Sequence, residues 1–273
     1  MRIVIRIILY IAAVPCVLFL FMRYLEAHSV YFPSKTLESS PLDAGLAYHD
    51  VFIKTSDSRL IHSWFLPVEG ARRTLLFLHG NAGNISHRID KLALLSKTGV
   101  NILIIDYRGY GKSSGLPSEQ GLYRDAQAGY GYLVNTRGVR PEEIVVYGES
   151  LGTSVAVDLV SRNPACGLIL EGAFSSGRDM GKTMYPLIPE FFLPRVYDSY
   201  AKIPAVLCPV LFIHSSRDEI VPLAMAKKLF AAARGPKEFF ELGGGHNDAF
   251  MQSLAQYEQA IGDFMKTLTV PSL

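Results

Sequence analysis

Residues 144–154 read IVVYGESLGTS, an apolar, β-branched run that ends at Gly148 and continues into a stretch with helical spacing. The first part predicts a buried strand and the last part a helix, with a sharp turn at Ser150 between them. Glycines at 148 and 152 allow the strand and helix to approach closely, and such a turn lifts the serine hydroxyl clear of the sheet. We therefore predict that Ser150 is a catalytic nucleophile rather than an ordinary turn serine.

The pattern G-x-S-x-G is weak evidence by itself, because the chain contains 23 glycines and repeats the pattern at 111–115 (GKSSG). Ser113 in this second copy lies well beyond the predicted strand end at Asp106, and Pro117 prevents a helix from starting directly after it. The copy also fails as a phosphate-binding loop, which needs glycine where Asp106 stands. We interpret residues 107–118 as a loop.

The segments around the turn alternate between strand and helix patterns, which predicts an α/β domain over residues 46–273. A mostly parallel eight-stranded sheet with helices on both faces is expected, because helices between strands make crossover connections. Helices are expected at 86–97, 119–135, 150–162, 223–233 and 251–266. The strands are predicted at 46–54, 60–68, 74–80, 100–106, 143–148, 167–172, 209–214 and 238–242.

The N-terminus differs from the rest of the chain. Residues 7–22 (IILYIAAVPCVLFLFM) are uninterrupted by charge, which predicts one hydrophobic helix and a membrane anchor over 1–25, followed by a connecting segment, 26–45. A cleaved signal peptide, with secretion of the domain, and a buried helix are the alternatives. Arg2 and Arg6 favour an N-terminus inside and a single-pass protein whose catalytic domain lies on the non-cytoplasmic side of the membrane.

Composition excludes several classes of function. The chain has 27 lysines and arginines against 25 acidic residues and no basic block, so nucleic-acid binding is not expected. The three cysteines (Cys16, Cys166 and Cys208) form no C-x-x-C pair, and no H-E-x-x-H is present. We predict no metal and no cofactor, and the oligomeric state and any pairing of Cys166 with Cys208 stay open.

A serine hydroxyl needs a base that accepts its proton. His246 is favoured because it follows the last predicted strand in the segment GGGHND, where glycines let the backbone approach the site. His214, at the end of an apolar strand, is the alternative.

The base in turn needs an acid that orients it. Asp218 stands just beyond the strand 209–214 on a loop, whereas the rival Glu171 is expected to be a buried, hydrogen-bonded residue. Asp248 is too close in sequence to His246 to orient it easily. We therefore favour Asp218.

Attack on a carbonyl creates an oxyanion, which two backbone N–H groups can stabilise. One is expected from Leu151, directly after the nucleophile, and the other from Asn81 in the glycine-rich loop after the strand 74–80.

Six blocks of the chain, in this order and spacing, resemble the membrane-anchored α/β-hydrolase-domain serine hydrolases, which include protein depalmitoylases, and their bacterial relatives. The blocks are LHGNAGN (78–84), DYRGYGKSSG (106–115), GESLG (148–152), LILEGAFSS (168–176), CPVLFIHSSRDEIVP (208–222) and GGGHND (243–248). The resemblance implies an α/β-hydrolase fold, a triad of Ser150, Asp218 and His246, and oxyanion donors at Asn81 and Leu151. The mammalian depalmitoylases have a cysteine-rich N-terminus that this chain lacks, so their protein substrates are not carried over.

The expected function is hydrolysis of carboxylic esters or thioesters, with acyl chains of lipids as one candidate substrate. Acyl transfer, a serine peptidase and a non-catalytic binding module are the alternatives. A short insertion (177–207) between the sixth and seventh strands carries apolar residues that either bind an acyl chain or pack a helix onto the core. The predicted acyl-binding residues are Met184, Leu187, Phe191 and Phe192.

Overall fold

The computed structural model describes Tyr10, Ala13, Val14, Val17 and residues 29–268. The chain divides into two compact units between Phe32 and Pro33, and the second unit carries the large sheet. The anchor predicted over residues 1–25 falls almost entirely outside the described residues. Within the part that is described, no helix combines the length and apolar character needed to cross a membrane.

Eight strands within residues 29–268 form one sheet in the order β10-β9-β8-β7-β4-β6-β3-β2. β2 and β3 pair antiparallel, as do β3 and β6, and the other neighbours are parallel. The short strands β1 (Phe32–Pro33) and β5 (Ala82–Gly83) lie outside this sheet. The eight strands are β2 (His49–Lys54), β3 (Leu60–Leu66), β4 (Thr74–Leu78), β6 (Asn101–Ile105), β7 (Ile144–Glu149), β8 (Gly167–Glu171), β9 (Val210–Ser215) and β10 (Lys237–Leu242).

Helices cover both faces of the sheet, which confirms the predicted α/β architecture. The α-helices are α1 (Ile89–Ser96), α2 (Glu119–Gly131), α3 (Leu151–Val160), α4 (Gly177–Met184), α5 (Ser199–Lys202), α6 (Leu223–Ala232), α7 (Ala249–Gln252) and α8 (Leu254–Thr267). Single turns of 3-10 helix lie at Pro41–Ala44, Ile85–Arg88, Pro141–Glu143, Glu190–Phe192 and Ile203–Ala205, and a π-helical turn, Tyr132–Thr136, follows α2.

The central strands read as continuous apolar runs because both of their faces are covered. Every residue of β4 and of β8 is buried, as parallel strands in the middle of such a sheet require. The carboxyl ends of β4, β7, β8 and β9 lie side by side, so the residues that follow these strands gather at one edge.

Several element boundaries differ from the sequence-based expectation by about one to four residues. The helix predicted over 251–266 is divided into α7 and α8 at Ser253, whose backbone leaves the helical region at φ −120° and ψ 38°. The Ser253 hydroxyl donates a hydrogen bond to the carbonyl oxygen of Gly243 at 3.2 Å, which ties the break to the loop that carries His246. The first predicted strand begins at His49 rather than at residue 46.

Candidate active site

Ser150 occupies a strained turn between β7 and α3. Its backbone has φ 50° and ψ −114°, a conformation that a residue with a side chain rarely adopts. The two predicted glycines make the turn possible: a Cβ on Gly152 would lie 1.9 Å from the carbonyl oxygen of Leu78, and one on Gly148 would lie 2.6 Å from the carbonyl oxygen of Gly152. The strand and the helix therefore meet too closely for any side chain at these positions.

A continuous chain of hydrogen bonds joins the three predicted catalytic side chains. The Ser150 Oγ lies 2.9 Å from Nε2 of His246, and the Nδ1 of the same ring lies 2.7 Å from Oδ2 of Asp218. The chain places a proton acceptor against the serine hydroxyl and a carboxylate against the far side of the imidazole. Such an arrangement can activate a serine and stabilise the imidazolium that forms.

The loop after β9 holds the Asp218 carboxylate in its ionised form. Its Oδ1 accepts hydrogen bonds from the backbone N–H groups of Ile220 (3.0 Å) and Val221 (2.7 Å). Burial alone would raise the pKa of this carboxyl, but the hydrogen bonds from His246 and Val221 outweigh burial and lower it. Burial would likewise lower the pKa of His246, and the bond with Asp218 outweighs it and raises that pKa.

The alternative acids and bases make other contacts. Glu171 is buried, and both of its carboxylate oxygens lie 3.0 Å from Nζ of Lys91. His214 is buried beneath the loop, and its Nε2 lies 2.9 Å from the carbonyl oxygen of Val221. Asp248 accepts a hydrogen bond from the Gly245 N–H at 2.6 Å, which shapes the histidine loop instead of orienting the ring.

Ser113, in the second copy of the pattern, has a structural role. It is 2% exposed, donates to the carbonyl oxygen of Asp106 at 2.9 Å and accepts from the N–H of His62 at 2.8 Å. Its hydroxyl therefore joins the loop to β3, and both of these hydrogen bonds are made with backbone groups and not with an imidazole ring.

The two predicted oxyanion donors lie on segments that meet at Ser150. Leu151 is the first residue of α3, where an N–H has no acceptor within the helix. A Cβ on Gly80 would lie 3.5 Å from the Cβ of Ser150, so the loop that follows β4 lies against the nucleophile. Tyr110 donates its hydroxyl to the carbonyl oxygen of Asn81 at 2.7 Å and so fixes this loop.

The predicted acyl-binding residues lie on an exposed part of the insertion. Met184 ends α4, and none of the side chains of that helix is buried. The exposed fractions of Met184, Leu187, Phe191 and Phe192 are 55%, 95%, 76% and 42%. These four side chains therefore do not pack a helix onto the core, although Leu193 of the same insertion is buried, and acyl binding stays a prediction.

The cavities and clusters in the described residues add no second centre of this kind. A cavity of about 560 Å³, lined by Arg73, Lys97 and Glu258 among others, contains none of the predicted site residues. Within residues 29–268, no group of three His, Cys, Asp or Glu side chains could hold a metal ion.

Sequence reasoning missed a set of charged side chains directly behind the nucleophile. Lys91 of α1 and Arg88 just before it reach the carboxylates of Glu171 and Glu149. One signal pointed to it, because each glutamate ends a strand that borders the site.

Known proteins match most of the chain. The family model described as serine aminopeptidase, S33, matches residues 69–202. An uncharacterized protein of Mycobacterium tuberculosis is 37% identical in an alignment of 245 positions, which covers 87% of this chain and 86% of that protein. The α/β hydrolase domain-containing protein WAV2 of Arabidopsis thaliana is 34% identical over 80% of this chain and 78% of its own length. The chain belongs to the α/β-hydrolase-domain family.

A solved structure agrees with this membership at the level of the fold. The esterase Pf2001 of Pyrococcus furiosus superposes with a TM-score of 0.74 at 20% identity, covering 87% of this chain and 99% of that one. The resemblance that the sequence motifs indicated is thus confirmed for the family and the fold. Membership in the α/β hydrolases supports a hydrolase activity in general.

Proposed function

We propose that this α/β hydrolase cleaves carboxylic esters or thioesters through an acyl-enzyme on Ser150. The observation that carries the proposal is the hydrogen-bonded chain from Ser150 through His246 to Asp218. All three side chains follow strands at one edge of the sheet, where enzymes of this architecture hold their reactive groups.

The proposed reaction has two halves. His246 Nε2 takes the hydroxyl proton as Ser150 Oγ bonds to the carbonyl carbon, and the backbone N–H groups of Leu151 and Asn81 stabilise the oxyanion. Collapse breaks the bond to the alcohol or thiol, which leaves with the proton from the imidazolium. Water then attacks the acyl-enzyme by the same steps and releases the acid. Asp218 holds the imidazole in the reactive tautomer throughout.

Covalent labelling with a fluorophosphonate tests the nucleophile directly. We expect tandem mass spectrometry to locate the adduct on Ser150, with no labelling of Ser150→Ala and wild-type labelling of Ser113→Ala. Ser113 is a matched control because it has the same local pattern and a hydroxyl held by other bonds. An adduct elsewhere, or equal labelling of both variants, would refute the assignment.

A peptidase is the second candidate, because the matching family model is described as a serine aminopeptidase. A panel of p-nitrophenyl esters, thioesters and aminoacyl p-nitroanilides separates the two functions. We expect kcat/KM for the esters and thioesters to exceed that for the anilides by orders of magnitude. Faster turnover of the anilides would favour the peptidase, and a labelled but inactive enzyme on the whole panel would rule out both.

The same panel tests the proposed acyl specificity. The ring centroids of Phe191 and Phe192 lie 4.1 Å apart, and both side chains are exposed. An acyl chain bound against these rings would bury apolar surface of the chain and of the protein. Each buried methylene can add up to about fourfold in kcat/KM, so activity should rise from acetate to octanoate. Phe191→Ala should flatten this trend, whereas Leu207→Ala, an exposed control before β9, should not. A preference for acetate in all three proteins would contradict acyl binding here.

A further inference from the structure

Two carboxylates meet behind the nucleophile, at the ends of neighbouring strands. Glu149 of β7 and Glu171 of β8 are direct partners in the register of the parallel pair. Like charges in opposed positions repel each other and destabilise a sheet. Lys91 of α1 compensates for both: its Nζ lies 3.0 Å from each carboxylate oxygen of Glu171 and 3.6 Å from Oε2 of Glu149. This lysine is 4% exposed, so its charge is buried and paired.

The remaining bonds complete a buried ionic cluster, which we define as Arg88, Lys91, Glu149 and Glu171. The Nε of Arg88 lies 3.1 Å from Oε2 of Glu149. Two cations and two carboxylates leave the cluster without formal net charge. Tyr257 donates its hydroxyl to Oε2 of Glu171 at 2.8 Å, and the Tyr147 hydroxyl donates to the same oxygen.

The cluster contacts the nucleophile and the base through the backbone. The N–H of Ser150 donates to the main-chain carbonyl oxygen of Glu171 at 2.8 Å. The next residue, Gly172, lies directly against the imidazole, since a Cβ there would be 3.0 Å from Cε1 of His246. Glu171 therefore bonds to the nucleophile turn, and the residue after it lies against the His246 ring.

The other half of the cluster lies against the predicted oxyanion loop. A Cβ on Gly80 would lie 3.4 Å from Nη2 of Arg88 and 3.4 Å from Oε1 of Glu149. The same Nη2 donates to the carbonyl oxygen of Ala82 at 3.2 Å. The arginine that pairs with Glu149 therefore lies close to Gly80 and donates to Ala82, on either side of Asn81.

We propose that the buried ionic cluster holds the nucleophile turn in place and balances the charge around His246, with Lys91 and Glu171 as positioning residues. This inference rests on the proposed function. Each catalytic cycle creates a positive imidazolium and a negative oxyanion a few bonds apart. Unpaired carboxylates behind the serine would favour the first and oppose the second, whereas carboxylates paired with Arg88 and Lys91 bias these charges less and keep a fixed geometry.

Several charged groups face His246. The Asp218 carboxylate is hydrogen-bonded to Nδ1 of the ring. The Glu219 carboxylate accepts a hydrogen bond from the His246 backbone N–H at 3.0 Å, and Asp248 accepts one from Gly245 in the same loop. His214 lies behind Asp218 at 3.5 Å. The carboxylates of Glu149 and Glu171 add to the effect of Asp218 in raising the pKa of His246.

Variants of opposite charge test the proposal. Lys91→Met removes a cation and should raise the pKa of the His246 ring, whereas Glu171→Gln removes an anion and should lower it. The double variant Lys91→Met/Glu171→Gln restores the balance and should return the pKa to the wild-type value. Tyr257→Phe removes a buried hydrogen bond to the same carboxylate without changing charge, and should leave the pKa in place.

Two readouts are needed: NMR titration of the His246 ring, assigned with His246→Gln, and the acid limb of the pH profile of kcat/KM for p-nitrophenyl acetate. Opposed shifts in both support the proposal. Shifts of the His246 pKa in the same direction, no shifts, or a double variant whose pKa differs from the wild-type value would overturn it. Loss of packing alone would not shift the pKa in opposite directions in the two single variants.

Folding of each variant is checked by circular dichroism. If Lys91→Met does not fold, the effect of the lysine is the difference between the double variant and Glu171→Gln. If the protein hydrolyses no ester but the NMR titrations show opposite shifts of the His246 pKa in the two variants, the proposed function is refuted and the effect of the cluster on His246 is still supported. An active enzyme without them would refute the role of the cluster alone.

Discussion

The strained backbone of Ser150 predicts that two inactive variants differ in stability. Ser150→Ala and Ser150→Gly both remove the hydroxyl and its bond to His246, so both should lose ester hydrolysis. Alanine keeps the Cβ that makes φ 50° unfavourable, whereas glycine adopts this region at little cost. We therefore expect the glycine variant to be the more stable of the two.

The magnitude follows from opposing terms. A non-glycine residue held in a sparsely populated region costs about 1–3 kcal/mol, and glycine gives back about 0.5–1 kcal/mol through the entropy of the unfolded chain. The net difference in the free energy of unfolding is about 0–2.5 kcal/mol, with a midpoint of about 1 kcal/mol in favour of Ser150→Gly. For a domain of this size, about 1 kcal/mol corresponds to a Tm higher by roughly 2–4 °C.

Urea unfolding followed by circular dichroism, with thermal melting in parallel, measures this difference. The matched pair is Ser113→Gly and Ser113→Ala, at a buried serine outside the left-handed region, where glycine should be the less stable variant. If Ser150→Gly is less stable than Ser150→Ala, or if both pairs behave alike, the turn stores no strain.

Three further changes have expected outcomes. Asp218→Asn should lower kcat about 10⁴-fold through the wrong tautomer of His246, and a loss below tenfold per folded molecule, by circular dichroism and active-site titration, would contradict it. Gly152→Ala should destabilise the fold by about 1–3 kcal/mol, since its Cβ meets a backbone oxygen at 1.9 Å; urea unfolding like wild type would refute the clash. In the folded chain the pKa of Glu149 falls from 4.5 to about 2, although burial opposes the change, because the cations of the ionic cluster outweigh it. The ionised form of Glu149 therefore contributes about 3 kcal/mol to the free energy of unfolding above pH 4.5, and this contribution is lost as the pH falls toward 2. In urea unfolding, the loss of stability in Glu149→Gln should be largest at pH 7 and should shrink toward pH 3. A loss of stability that does not change with pH would contradict this linkage.

The sequence predicted the sheet and the turn because both depend on local patterns. The run IVVYG is apolar over its whole length, as a strand covered on both faces requires, and the glycines at 148 and 152 stand where the backbone leaves no room for a Cβ. His246 and Asp218 could be chosen because side chains that follow neighbouring strands must meet at one edge of the sheet.

The ionic cluster could not be predicted in the same way. Lys91 lies on a helix whose pattern is that of an ordinary amphipathic element, and a lysine on such a helix is usually solvated. Its burial depends on how α1 docks and on the register that brings Glu149 opposite Glu171. The break at Ser253 and the exposure of Phe191 likewise depend on tertiary contacts, and the periodic pattern of apolar residues in the sequence does not reveal such contacts.

The cluster and the strained serine are best understood together. A buried ion pair contributes little net stability, and well-packed apolar residues at 91 and 171 would stabilise the fold at least as well. Strain at Ser150, by contrast, persists only if the surroundings over-determine the turn. The pairing of Lys91 with Glu171 fixes the residue whose main-chain oxygen accepts the Ser150 N–H, and so holds the turn from the side opposite to the two glycines. A directional, charge-specific contact can hold one geometry where an apolar contact tolerates several, because ion pairs with hydrogen-bonded partners lose energy steeply when they are displaced.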